Sequence, residues 1–94
     1  MKKLLHDGSR EGEWIFWCPG CKLAHSYLTG PGPGPRWEFN GDHAKPTFTP
    51  SLLVRWPPLP KTCHLFVIEG RILFCADSTH ALAGTAVPME PFEL

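Results

Sequence analysis

Eleven prolines and nine glycines in 94 residues interrupt this chain so often that no helical pattern of a dozen residues survives. Proline fixes φ and lacks an amide proton, and glycine loses the most entropy on ordering, so short extended runs and turns are what remain. The runs at 13–17, 36–40, 51–56, 63–68, 71–76 and 85–88 read as strands, and 22–28 reads as a returning strand or one turn of helix. The Gly/Pro stretch 29–35 and the Pro-rich stretch 57–62 read as loops. The expected fold is all-β, a small sandwich or open barrel of mostly short antiparallel strands. It carries a zinc-knuckle turn and at most one short helix, at 77–84, where Asp77 or Ser78 would cap the start and Gly84 the end. The whole chain, 1–94, reads as one zinc-binding domain, with 1–12 as an exposed lead-in.

The strongest hairpin flanks Glu69-Gly70, and two registers fit it. A two-residue loop sets Ile68 against Arg71 and His64 against Cys75. A three-residue loop with Gly70 as a bulge sets Val67 against Arg71 and Cys63 against Cys75. In both, Cys63 and His64 face opposite ways, because successive strand residues alternate.

A domain this small hides roughly 60–65% of its unfolded surface, so a staple helps it fold. Cys18-Pro19-Gly20-Cys21 offers one: a tight turn that points two sulfurs at one spot, as a tetrahedral zinc requires at Zn–S distances of about 2.3 Å. The expected ligands of a structural Zn2+ are Cys18, Cys21, His25 and Cys63, with His64 or His80 as replacements for His25 or Cys63. His25 reaches the metal only if the chain curls after Cys21. In a fully extended strand it lies roughly 13 Å away at about 3.3 Å per residue. A redox role for the pair would call for a strand followed by a helix N-terminus, a setting absent here. Cys75 reads as a small buried apolar residue.

His64, Asp77 and His80 form a second polar group. Asp77 can orient an imidazole, as general bases and metal ligands both need. Asn40, Asp42 and the hydroxyls of Thr47, Thr49 and Ser51 line the same cleft. If the protein is an enzyme, His80, Asp77 and His64 are its catalytic candidates. No G-x-S-x-G, H-E-x-x-H or P-loop pattern occurs.

Nine basic and nine acidic residues leave no field to hold a nucleic-acid backbone. No apolar run of about 18 residues is present to span a membrane. The basic-then-apolar start stops at His6-Asp7-Gly8, too early for a signal peptide, so a cytoplasmic address is expected.

The chain resembles a group of short proteins of tailed bacteriophages and prophages, of unknown function, many labelled "ammonia monooxygenase". The shared stretches are His6-Asp-Gly-Ser-Arg-Glu-Gly-Glu-Trp14, Phe16-Trp-Cys-Pro-Gly-Cys21 with His25, and Trp37-Glu-Phe-Asn-Gly-Asp42. They continue through Pro46-Thr-Phe-Thr-Pro-Ser51, Cys63-His64 and Asp77-Ser-Thr-His-Ala-Leu-Ala-Gly84 to Val87-Pro88. Enzymes that oxidise ammonia are large membrane-embedded copper proteins, so the label does not fit. The resemblance implies that Cys18, Cys21, His25, Cys63, His64, Asp77 and His80 are the matching polar positions. That group has no established activity to carry over. A small phage-type product without a complete catalytic motif is expected to be a binding protein in the cytoplasm of a bacterial host, an adaptor or inhibitor of a host protein such as a defence component. Trp14, Trp17, Trp37 and Trp56 are candidates for an exposed aromatic patch that would serve it. The alternatives are a metal-dependent hydrolase with an open zinc position and a zinc-ribbon-like nucleic-acid binder.

Overall fold

The computed structural model describes all 94 residues. Eight strands and no helix make up the chain: β1 His6–Asp7, β2 Glu13–Cys18, β3 Leu23–Leu28, β4 Glu38–Phe39, β5 Phe48–Arg55, β6 Thr62–Ile68, β7 Arg71–Phe74 and β8 Ala86–Pro88. They form two antiparallel sheets, ordered β1-β2-β3 and β4-β5-β6-β7-β8. The all-β expectation holds, and residues 77–84 form turns and bends without a helix.

Alternation along the strands decides what meets between the sheets. Phe16, Cys18 and Tyr27 from the small sheet, and Phe48, Leu52, Leu65, Val67, Ile72 and Phe74 from the large one, are buried in one cluster. The rings of Tyr27 and Phe48 stack at 4.2 Å and 2°. Tyr27 is fully buried, yet its hydroxyl has no hydrogen-bond partner, and burial pushes its ionisation upward. Tyr27→Phe removes that unpaired group and keeps the stack, so thermal melting is expected unchanged or raised by up to about 1 kcal/mol.

Glu69 and Gly70 both take positive φ, 47° and 77°, as a two-residue hairpin loop demands. This selects the register with Ile68 opposite Arg71. The Cys75 amide donates to the His64 carbonyl at 2.8 Å, setting those two side by side. On β6, Cys63, Leu65 and Val67 are buried, while His64 is half-buried and Phe66 and Ile68 are exposed. One strand therefore presents a sulfur to the interior and an imidazole to the outside.

Two expectations are corrected. Residues 1–12 are not an exposed lead-in throughout: Leu5 is buried and β1 pairs with β2. Lys3 and Phe92 exchange backbone hydrogen bonds at 3.0 and 2.9 Å, which ties the two ends together. The four tryptophans are all half-buried and form no exposed patch. The exposed large apolar side chains within strands are Leu53, Phe66 and Ile68, on the outer side of the large sheet.

Candidate functional site

The knuckle forms at the end of β2. The Lys22 amide donates to the Cys18 carbonyl at 2.8 Å, and the Cys21 amide points at Cys18 Sγ at 3.4 Å. Lys22, at φ 58°, then turns the chain back on itself as β3. His25 lies opposite Phe16, two residues before Cys18 and on the same buried face. His25 thus reaches the sulfurs because an extended strand returns past them, and the expected helical curl is not what brings it there.

The donor atoms of Cys18, Cys21, His25 and Cys63 all lie within 4.8 Å of one another, a cluster capable of coordinating a metal ion. The cysteines are free thiols, and Cys18 and Cys63 place their sulfurs 3.9 Å apart. Their shared hydrogen bond pulls the Cys18 thiol down and pushes Cys63 up, while burial raises Cys21. Several sulfurs packed this closely cannot all ionise without a cation among them. His25 Nε2 is buried with no partner. An orphaned imidazole nitrogen beside three soft donors fits a thiophilic metal.

His80 supports this cluster from outside. The Leu82 amide donates to His80 Nδ1 at 3.2 Å, so the ring's proton sits on Nε2, which is 3.4 Å from Cys63 Sγ. His80 therefore donates to the sulfur and does not stand among the four clustered donors.

On the outer side of the same sheet a different group assembles. Between the pairs Phe48–Val67 and Leu52–Leu65 the register of β5 shifts. Thr49, Pro50 and Ser51 thus face the single residue Phe66, and proline has no amide to give to a ladder. The arch carries Ser51 to His64: Ser51 Oγ and His64 Nε2 are 3.1 Å apart. On the other ring edge, His64 Nδ1 is 3.1 and 3.2 Å from the two Asp77 carboxylate oxygens. The carboxylate can only accept, so Nδ1 carries the proton and Nε2 is free to take one from Ser51. Ser51, His64 and Asp77 have the geometry of a nucleophile, a base and an orienting carboxylate.

Neighbouring hydrogen bonds hold these three in place. The Trp37 indole donates to the Ser51 carbonyl at 3.0 Å. The buried Ser78 hydroxyl accepts from the His64 amide and donates to its carbonyl, both at 3.0 Å. Thr79 does the same for Thr62, at 3.0 and 3.1 Å. Where β7 has ended, side chains continue the pairing along β6 and aim Asp77 at His64. Ser78→Ala breaks both bonds to a backbone already desolvated. The expected loss is about 1–2 kcal/mol, read as a fall in melting temperature of roughly 5–15 °C.

Cys75 lies beside this group: its sulfur, His64 and Asp77 also place their donor atoms within 4.8 Å. Burial and the Asp77 charge push the Cys75 thiol up, which suits it poorly as a nucleophile.

Of the catalytic candidates, the structure joins His64 to Asp77 and sends His80 to the sulfur cluster. Ser51 was legible only as a hydroxyl near the cleft. The three residues are spaced 13 apart twice, with no local motif around the serine. The family described as "Bacterial ubiquitination-like system serine protease (BubE)" has a model that matches residues 2–75. The chain belongs to that family. The matched stretch holds Ser51, His64 and all four clustered metal donors, and it ends two residues short of Asp77. No curated protein and no solved structure matches the chain.

This overturns the resemblance to phage and prophage proteins of unknown function, and with it the expected adaptor or inhibitor of host defence. That expectation leaned on the lack of a catalytic motif in the linear sequence, which a triad assembled from three separate segments does not need. Family membership points to an enzyme, and the hydrolase alternative agrees with it better than a binding module does. No helix of the chain is long and apolar enough to cross a membrane.

Proposed function

We propose that this chain is a serine hydrolase that cleaves peptide or isopeptide bonds in protein substrates and is built around a structural zinc. The observation that carries the reading is His64 bridging Ser51 Oγ and the Asp77 carboxylate at 3.1 Å on each side. Ser51 attacks the substrate's acyl carbon as its proton passes to His64 Nε2. Asp77 holds the ring and stabilises the imidazolium, which then gives the proton to the departing amine. Water resolves the acyl-enzyme by the same route in reverse. The family's description, a protease of a ubiquitination-like system, supports a protein substrate joined through an amide bond.

Cys18, Cys21, His25 and Cys63 would hold the zinc. With four protein donors such a site is closed, and the metal supplies folding energy. It lies on the inner side of β6, and the triad on the outer side. A fluorophosphonate probe tests the reading: Ser51 is expected to be labelled, with labelling lost in Ser51→Ala and in His64→Gln. Turnover that survives Ser51→Ala but stops on adding a chelator would instead support catalysis by the metal.

A further inference from the structure

The hairpin register that sets Cys75 beside His64 gives the triad a second set of contacts. His64, Cys75 and Asp77 each bring a donor atom within 4.8 Å of the other two, and the His64 nitrogen turned to the Asp77 carboxylate, at 3.1 Å, is Nδ1. The Cys75 thiol is free and half-buried, and its backbone is fixed by the hydrogen bond that the Cys75 amide donates to the His64 carbonyl at 2.8 Å. Nitrogen, sulfur and carboxylate are the donor types that borderline-soft divalent cations prefer. We propose that these three residues form an inhibitory site for a thiophilic divalent cation, with Zn2+ as its probe, distinct from the four-donor cluster.

The chemistry of inhibition follows from the tautomer. A metal bound at Nδ1 needs that nitrogen's lone pair, so the ring proton must reside on Nε2. A protonated Nε2 cannot accept the proton of Ser51, and Asp77 is drawn from the ring to the ion. The thiol proton leaves to solvent, so one thiolate and one carboxylate neutralise the dication, and water completes the shell. The binding half of this proposal stands on the three donors alone, whereas the inhibitory half rests on the serine-hydrolase reading.

The test uses the full chain with its four-donor centre loaded at one equivalent. Further Zn2+ is titrated while fluorophosphonate labelling of Ser51 is followed. Cd2+ is titrated in parallel while thiolate-to-metal charge-transfer absorption is read. Labelling is expected to fall as a second equivalent binds and to recover on adding a mild chelator. Cys75→Ala and Cys75→Val are expected to label like the parent without added metal, to need about 10–100-fold more Zn2+ for the same loss, and to lack the second absorption increment. Inhibition of both variants at the parental Zn2+ concentration, or no second increment in the parent, would overturn the site. If Ser51 never labels at all, the hydrolase reading fails on its own, and the absorption titration still decides whether the cation binds.

Discussion

Ser51→Ala is expected to lower turnover by on the order of 10³–10⁶-fold while leaving the fold intact. Ser51 Oγ makes its one hydrogen bond to His64 Nε2, and its side chain belongs to the outer surface and not to the core. Removing it leaves the imidazole facing water, so melting should move by less than about 0.5 kcal/mol. Asp77→Asn should cost less than the same change in a deeply buried triad, where about 10⁴-fold is lost. The Asp77 side chain is 63% exposed, so water can partly replace its hydrogen bond to the ring. Steady-state kinetics on an amide substrate, alongside melting curves, check both variants. Equal turnover in Ser51→Ala would remove the serine from the mechanism.

Removal of the proposed zinc is the second large expected effect, and it falls on the fold. Zinc bound by thiolates and imidazole carries apparent free energies of about 10–16 kcal/mol in small peptides. That matches or exceeds the roughly 5–15 kcal/mol by which whole domains are stable. Cys18→Ser, Cys63→Ser and a strong chelator are each expected to abolish cooperative melting. Acid should act in the same direction: the ligands bind metal only when deprotonated, so stability falls as pH falls and protons displace the ion. Circular dichroism and metal stoichiometry on gently purified protein check this. A metal-free preparation that melts like the native one would refute it. Because Cys63 precedes His64 on β6, metal loss also disorders the triad, and turnover should fall with it. Replacing zinc by Cd2+ separates the two roles, since a structural ion can be exchanged with kcat kept.

Much of the fold is legible in the sequence itself. The prolines and glycines excluded long helices, the alternation at 63–68 set Cys63 and His64 on opposite faces, and the knuckle spacing announced a pair of metal donors. These are local properties, written in φ preferences and in the period of two along a strand. The choice between two hairpin registers needed the positive φ of Glu69, and His25's place in the cluster needed the return of β3 past Cys18. Ser51 was hidden for a different reason. Its role comes from the arch at 49–51 and from a loop bonded to β6 through Ser78 and Thr79, and both are relations between segments far apart in the chain. A nucleophile is made by the distance to its base, and that distance exists only once β5, β6 and the segment after β7 have packed together.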